Sequence, residues 1–311
     1  MLWQPLGGLG GLIASRWLAG RAGACKPGVV TDEVGNIDGD TIDGDAMASR
    51  RRLRLLHTSD VHIGGGFIRP KTGEHRDDCV CPLLVLAEHV EREEVDAVLI
   101  LGDLFDHGRV SDELVTDIFV RLAALPVPVI LIPGNHDVHD DDGLYRRHRG
   151  LIAEAGVLLF DDLSGSTKTI LDGDLTLWGR AMDEHNPGFR PLVNVPGPPD
   201  SGWYVAMAHG HWTGLDPDPY RSSPISPEDV AAVDADYVAL GHWHRTTELE
   251  GEHTMPAWYS GSPIQSWAEG NFLRIDLGPN GAEVVPIPVV PPQDGCGDVG
   301  LALPSTEKCS N

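Results

Sequence analysis

The stretch that most constrains the fold of this chain is residues 129–137, which combine four apolar residues, a Pro-Gly pair and the polar trio Asn135, His136 and Asp137. A short apolar run that stops at Pro-Gly predicts a buried β-strand followed by a turn. In α/β proteins, the groups that follow the carboxyl ends of such strands form the functional site. This stretch therefore predicts a cluster of polar side chains at one edge of a buried sheet.

Four other apolar runs end in the same way, in Asp or His. They lie within residues 53–62, 97–103, 203–209 and 237–244, and their polar ends are Asp60, His62, Asp103, His209, His242 and His244. These residue types bind metal ions, and we expect the five strand ends to converge on one site. Both His209 and His211 follow the fourth run, and we favour His209 because it comes directly after the apolar residues.

The first half of the chain alternates between strand and helix patterns. Residues 82–94 and 111–124 have apolar residues at helical spacing, and they separate three apolar runs that end near residues 58, 101 and 132. This order predicts a buried parallel sheet covered by helices. A helix is also predicted over residues 144–155. The second half predicts shorter strands, in a mixed or antiparallel arrangement, and a short helix that Ser226 caps.

Composition predicts where the organised domain begins and ends. Residues 1–46 lack periodicity and are rich in Gly, Ala and Asp, which predicts a disordered or mis-annotated extension with Met47 as an alternative start. The folded domain is predicted over residues 47–286, and a disordered Pro- and Gly-rich tail over residues 287–311. No apolar run reaches 18 residues, so no membrane span is predicted.

The formal net charge of −24 argues against a broad basic groove that follows a nucleic-acid backbone. A local nucleic-acid site remains compatible with this charge, because divalent metals would offset nearby carboxylates. The five cysteines are scattered and odd in number, which is typical of free thiols in a reducing compartment. We therefore expect a cytoplasmic protein, and the sequence identifies no protein partner.

The motifs resemble those of the calcineurin-like metallophosphoesterases. The five matching blocks, in order, are Asp60-Val-His62, Gly102-Asp103, Gly134-Asn-His-Asp137, His209 and Gly241-His-Trp-His244. Within that family the chain looks most like the SbcD-type DNA repair nucleases, because of residues 55–64, 102–106 and 259–263. The resemblance covers about residues 53–265 and implies an α/β fold of two facing mixed β-sheets flanked by helices, in four layers.

The resemblance also implies a site for two divalent metal ions. One metal would be held by Asp60, His62 and His244, and the other by Asn135, His209 and His242, with Asp103 between them. Carboxylate, amide and imidazole ligands suit Mn²⁺, which we expect first, and Fe or Zn²⁺ as alternatives.

By resemblance, the expected activity is hydrolysis of phosphodiesters by a hydroxide bound to the two metals, with phosphomonoesters as a second substrate class. His136 is then the candidate general acid, or the group that stabilises charge on the phosphate and leaving group. We hypothesise that Asp137 supports the protonated form of His136.

Two alternatives remain open. The first is an SbcD-like DNA exonuclease subunit that needs a partner, for which residues 146–149 supply a short basic cluster and several tryptophans supply rings that could stack on a base. Against it, Asp106 stands where archaeal and eukaryotic relatives have His, and little chain follows residue 286. The second is a non-catalytic scaffold, which the complete set of candidate ligands disfavours.

Overall fold

The structure, a computed structural model, describes residues 50–65, 67–68, 75–76, 81–215, 218, 220–263 and 270–289. The sixteen strands within these ranges are β1 Leu53–Thr58, β2 Phe67–Ile68, β3 His75–Arg76, β4 Ala97–Leu101, β5 Val129–Ile132, β6 Leu158–Leu159, β7 Ser166–Ile170, β8 Leu175–Gly179, β9 Trp203–His209, β10 His211–Trp212, β11 Pro224–Ile225, β12 Tyr237–Gly241, β13 Thr247–Glu248, β14 Ala257–Tyr259, β15 Gly270–Gly278 and β16 Gly281–Val289. Its helices are α1 Cys81–Glu93, α2 Asp112–Ala123, α3 Leu144–Arg147, α4 Arg149–Glu154 and α5 Pro227–Ala231, with a 3-10 turn at Leu171–Gly173.

Two six-stranded sheets form the body of the protein. The first has the order β16-β15-β1-β4-β5-β6, and the second the order β13-β14-β12-β9-β8-β7. In each sheet the central strands run parallel and the antiparallel pairs lie toward the edges. Because parallel neighbours end at the same sheet edge, β1, β4 and β5 deliver their following residues together, as do β9 and β12.

The apolar residues alternate between the two faces of each sheet. Leu55, Leu99 and Ile130 of the first sheet pack in one buried cluster with Val205 and Ala239 of the second. This cluster is the core between the sheets, and the alternation follows from the two-residue period of a strand.

The outer face of each sheet is covered in a different way. Leu56 and Leu131 pack against Val90 of α1 and against Ile118 and Phe119 of α2. On the second sheet, residues such as Tyr204 and Val238 are covered by the short helix α5 and by the β10–β11 pair, which contributes Trp212. The four-layer arrangement is therefore asymmetric, with most of its helical cover on the first sheet.

Two helix starts confirm the capping signals in the sequence. Ser111 accepts a hydrogen bond from the Leu114 backbone N–H at 3.2 Å at the start of α2. Ser226 and Asp229 form a reciprocal capping box at the start of α5. Within the described ranges no helix is long and apolar enough to cross a membrane.

The predicted architecture of two facing mixed sheets with flanking helices is confirmed, and two details differ. The predicted helix over residues 144–155 is divided at His148, whose ψ of 16° departs from helical geometry. The predicted domain end at residue 286 falls inside β16, which pairs with β15 as far as Val289. Pro286 and Pro288 fit there because β16 is an edge strand and a missing N–H can face outward. The expectations for residues 1–46 and 290–311 lie outside the described residues.

Candidate metal centre

The ends of five strands meet where the two sheets face each other. β1, β4 and β5 come from the first sheet, and β9 and β12 from the second. The side chains that they deliver are Asp60, His62, Asp103, Asn135, His136, His209, His242 and His244. The structure thus brings together every predicted site residue except Asp137, whose carboxylate lies behind the site, as described below.

One half of the centre is formed by Asp60, His62 and His244. Their metal-binding atoms lie within 4.8 Å of one another. The Nε2 atoms of His62 and His244 are 3.1 Å apart, and Asp60 Oδ1 is 4.0 Å from the first and 3.7 Å from the second. The His244 side chain is 54% exposed, so this half opens to solvent. We refer to these three residues as the open half.

The other half is formed by Asn135, His209 and His242, and we refer to it as the buried half. Asn135 Oδ1 lies 2.9 Å from His209 Nε2 and 2.8 Å from His242 Nδ1. His209 Nδ1 lies 2.7 Å from the Leu101 carbonyl oxygen, an acceptor, so Nδ1 carries a proton and donates it. This bond fixes the ring and aims Nε2 at the other polar atoms, which is the usual arrangement of a metal-binding His.

Asp103 lies between the two halves. Its Oδ2 atom is 3.4 Å from His209 Nε2 in the buried half and 3.9 Å from His62 Nε2 in the open half. Its Oδ1 atom accepts a hydrogen bond from the His136 backbone N–H at 2.8 Å. One oxygen is therefore fixed by the backbone, while the other faces both groups of imidazoles.

The residues present fit a pair of divalent cations. Asp60 is fully buried, and its Oδ1 atom has no hydrogen-bond partner among the described residues. Its other oxygen accepts hydrogen bonds from Ser59 Oγ and from the His242 backbone N–H. A buried carboxylate oxygen without a partner is costly unless a cation or water binds it. Carboxylate, amide and imidazole donors match the preferences of Mn²⁺, Fe and Zn²⁺.

The electrostatics of the centre favour bound positive charge. Burial opposes ionisation of Asp103, but the neighbouring His209 imidazole holds the pKa of this carboxyl below its usual range. Burial likewise lowers the pKa of His209, but the Asp103 carboxylate outweighs it and raises that pKa to about 9. Burial, with the charge of His209, lowers the pKa of His242 to about 3. A cation at His209 Nε2 would take the place of the proton held there.

His136 lies at the rim of the centre, with its side chain 42% exposed. Its Nδ1 atom donates to the Asp106 carbonyl oxygen at 2.6 Å, and the Asp106 carboxylate lies 3.6 Å away. Its ring packs edge-on against His62, with centroids 4.7 Å apart. Nδ1 is thus engaged with Asp106, and Nε2 is the ring nitrogen that remains for another contact.

The hypothesis that Asp137 supports His136 is wrong. The Asp137 carboxylate is buried and accepts hydrogen bonds from the backbone N–H groups of Asp103, Phe105 and Gly134, at 3.2, 3.1 and 2.7 Å. Its fourth donor is the Tyr145 hydroxyl at 2.6 Å. Adjacent residues in an extended loop point in different directions, so Asp137 faces inward while His136 faces the cleft. Asp137 therefore ties the β4 and β5 loops together.

Asp106 is a site residue that the sequence alone does not predict, although it stands where archaeal and eukaryotic relatives have His. Its Oδ1 atom lies 2.9 Å from His62 Nδ1, which orients the His62 ring so that Nε2 faces the open half. A carboxylate behind a metal-binding His fixes its tautomer and raises its basicity. The signal that could have identified it is its place three residues after Asp103, within the same strand-end loop.

The backbone around the centre adopts uncommon conformations. Asp60, His62, Asp103 and His242 all have positive φ angles, of 54°, 52°, 53° and 109°. Such angles cost energy in residues other than glycine and concentrate at functional sites. At Gly241 a side chain would overlap the Leu101 carbonyl oxygen, so only glycine permits this close approach of the two sheets.

Two other histidines lie close to the ligand residues in the sequence. His57 is in the core, with its ring nitrogens 2.9 Å from the Tyr237 hydroxyl and 3.1 Å from the Leu240 carbonyl oxygen. His211 is buried beside the centre, and its Nδ1 accepts from the Trp243 indole at 3.3 Å. His209, rather than His211, contacts Asn135 and Asp103. The assignment of His209 as a ligand remains a prediction.

Comparisons with known proteins agree with this geometry. Residues 53–246 match the family model described as calcineurin-like phosphoesterase. The chain is 26% identical to the DNA double-strand break repair protein Mre11 of Methanopyrus kandleri, over 68% of this chain and 49% of that protein. It is 27% identical to one of the subunits of the SbcCD nuclease of Staphylococcus epidermidis, over 70% of this chain and 63% of that protein.

The chain thus spans about half to two thirds of the length of these curated relatives. One solved structure is matched over its whole chain and 77% of this one, with a TM-score of 0.53 and 11% sequence identity, which is a likeness of fold. Since the matched family model covers more than half of the chain and spans the predicted ligands from Asp60 to His244, this protein belongs to the calcineurin-like phosphoesterase family.

Proposed function

We propose that this protein hydrolyses small phosphodiesters at a centre of two divalent metal ions, with Mn²⁺ as the preferred metal. The observation that carries the proposal is that Asp103 Oδ2 lies within 4 Å of an imidazole nitrogen from each half, 3.4 Å from His209 Nε2 and 3.9 Å from His62 Nε2. Asp60, His62 and His244 would hold one ion, and Asn135, His209 and His242 the other. When bound, two such ions lower the pKa of a shared water and neutralise charge on the phosphoryl oxygens.

The residues of the chain have separate tasks in this scheme. Asp103 joins the two halves: the His136 backbone N–H holds its Oδ1 atom, and its Oδ2 atom faces both groups of imidazoles. His136 Nε2, the ring nitrogen that Asp106 does not engage, donates a hydrogen bond to a phosphate oxygen or a proton to the leaving group. Asp106 holds both His62 and His136 in orientation through its carboxylate and its carbonyl group.

A small diester is favoured over a long nucleic acid because three members of the basic cluster at residues 146–149 are already engaged. In the basic cluster, Arg146 pairs with Asp141 at 3.1 Å and His148 with Asp112 at 3.1 Å. Arg147 donates to the Gly108 carbonyl oxygen at 2.9 Å. These contacts stabilise loops. Because these side chains are engaged and the net charge is −24, binding of a polyphosphate backbone is disfavoured.

The runner-up function is that of a DNA nuclease subunit with a protein partner. It is favoured by the relatives, whose names describe a repair protein and part of a nuclease. The two functions differ in salt dependence, since binding to a polyphosphate weakens steeply with salt and a single diester does not. A non-catalytic scaffold is disfavoured because the chain has a residue of ligand type at every expected position.

The test is Mn²⁺-dependent hydrolysis of bis-p-nitrophenyl phosphate and of p-nitrophenyl phosphate by the full chain. We expect diester turnover that stops with a chelator and falls in His136→Ala, while the control His148→Ala behaves as wild type. Turnover of the monoester alone would indicate a phosphatase. No turnover in protein that has bound metal would contradict the proposal.

A further inference from the structure

A cleft of about 610 Å³ opens beside the open half of the centre. It is lined by Leu215, His242, Trp243, His244, Arg245 and Thr247. Two of these residues are proposed metal ligands, one from each half. A phosphodiester held at the centre therefore has this cleft as a place for the alcohol arm that does not react.

Trp243 presents a fixed aromatic surface to the cleft. One face of its ring stacks on the buried Tyr259, with centroids 5.2 Å apart and planes 18° from parallel. Its indole N–H donates to His211 Nδ1 at 3.3 Å. A ring that is held in this way loses little conformational freedom when a second ring packs against it.

Arg245 supplies a positive charge at the same place. Its side chain is exposed, and the described residues show no carboxylate paired with it. A guanidinium group suits a phosphate because its N–H groups bind two oxygens at once. Arg245 is close enough along the chain to His244 to share the cleft with a phosphate at the centre.

The cleft changes character farther from the centre. An adjoining cleft shares Leu215 and Thr247 with it and is also lined by Glu228, Glu248, Glu250 and Glu252. In the described part of the chain none of these four carboxylates takes part in an ion pair. A second phosphate along this path would meet uncompensated negative charge, so the path excludes a continuing polyphosphate chain.

We propose that Trp243 and Arg245 form a substrate subsite that binds the non-reacting arm of a single phosphodiester when this arm carries a planar aromatic group. The ring of the arm packs on Trp243, and Arg245 contacts the phosphate. This subsite specifies the substrate class, and the inference rests on the proposed phosphodiesterase function.

The experiment compares two diesters with the same leaving group, phenyl p-nitrophenyl phosphate and methyl p-nitrophenyl phosphate. Wild type is expected to prefer the phenyl diester about tenfold in kcat/KM, which is the scale of ring stacking in nucleic-acid sites. Trp243→Leu should bring the phenyl-to-methyl ratio close to one, and Trp243→Phe should retain part of the preference. Because the ratio compares two substrates in one preparation, a partial loss of metal affects both alike.

Trp258→Leu is the matched control, because Trp258 is half-buried on β14 and packs against the core between the sheets. This variant should keep the wild-type ratio. Equal kcat/KM for both diesters in wild type, or an unchanged preference in Trp243→Leu, overturns the subsite while the proposed function stands. No turnover of either diester in metal-loaded protein overturns both.

Discussion

The open and buried halves of the metal centre use similar side chains in different surroundings. In the open half the His244 side chain is 54% exposed, whereas the His209 side chain in the buried half is 1% exposed. His209 is fixed by the Leu101 carbonyl oxygen and meets Asn135 inside the fold, whereas His244 lies on the cleft side. The difference teaches that histidines of one centre can differ widely in exposure, with His209 in the folded core and His244 on the substrate cleft.

The largest expected effect comes from the residue that both halves share. Asp103→Asn should reduce diester turnover by more than about 100-fold, beyond the loss of an orienting partner, because both groups of imidazoles lose the carboxylate between them. Metal content by elemental analysis should fall at the same time. Turnover within a factor of ten of wild type would mean that the two halves work independently.

The two halves should also differ in how much their histidines contribute to the stability of the fold. In chelator-treated protein, His209→Ala should lower the free energy of unfolding by about 2–4 kcal/mol, because it leaves a cavity and removes the donor to a buried carbonyl group. His244→Ala should change it by less than about 0.5 kcal/mol, as expected for an exposed side chain. Denaturant titration of both variants measures the difference. Equal losses would show that the two halves are not distinguished by burial.

The hydrogen bond from Tyr145 to Asp137, behind the centre, should contribute less to stability than His209 does. Tyr145→Phe removes the hydroxyl that donates to the buried Asp137 carboxylate, and a hydrogen bond to a charged group contributes about 1.5–3 kcal/mol. Tyr204→Phe is the control, because its hydroxyl donates to the uncharged Pro196 carbonyl oxygen at 3.1 Å and Tyr204 lies toward the opposite end of β9 from His209. Thermal denaturation should show the larger shift for Tyr145→Phe, and only this variant should bind Mn²⁺ more weakly.

Substitution of Asp106 should reduce activity clearly while leaving the stability of the fold almost unchanged. Asp106→Asn should reduce turnover about 10- to 100-fold, because His62 and His136 lose a charged partner that orients them. Its melting temperature should stay within about 2 °C of wild type, since Asp106 is half-buried. A variant that keeps full turnover would remove Asp106 from the open half.

The parts of the structure that sequence reasoning predicted are those with a local signal. The apolar runs that lead to Asp60, Asp103 and Asn135 specify buried parallel strands, and parallel strands end at one edge, so convergence followed from pattern alone. Strand β16 was missed because Pro286 and Pro288 break the strand signal, although an edge strand tolerates them.

The parts that sequence reasoning missed depend on the direction of individual side chains. Asp137 was assigned to its neighbour His136, but it binds backbone groups in two loops and the hydroxyl of Tyr145. The contact between Asp106 and His62 spans 44 positions, and no periodicity reports such a pair. The fold can thus be inferred from the sequence pattern, whereas the hydrogen-bond partners of buried polar atoms cannot.

The central claim is that two metal sites of unequal exposure act together on one phosphate. Titration of Mn²⁺ into the chelator-stripped full chain, with bound metal and bis-p-nitrophenyl phosphate turnover measured at each point, tests it most directly. We predict two equivalents of bound metal, with turnover that appears only as the second equivalent fills the open half. Full turnover at one equivalent, or two bound equivalents without turnover, would contradict the account.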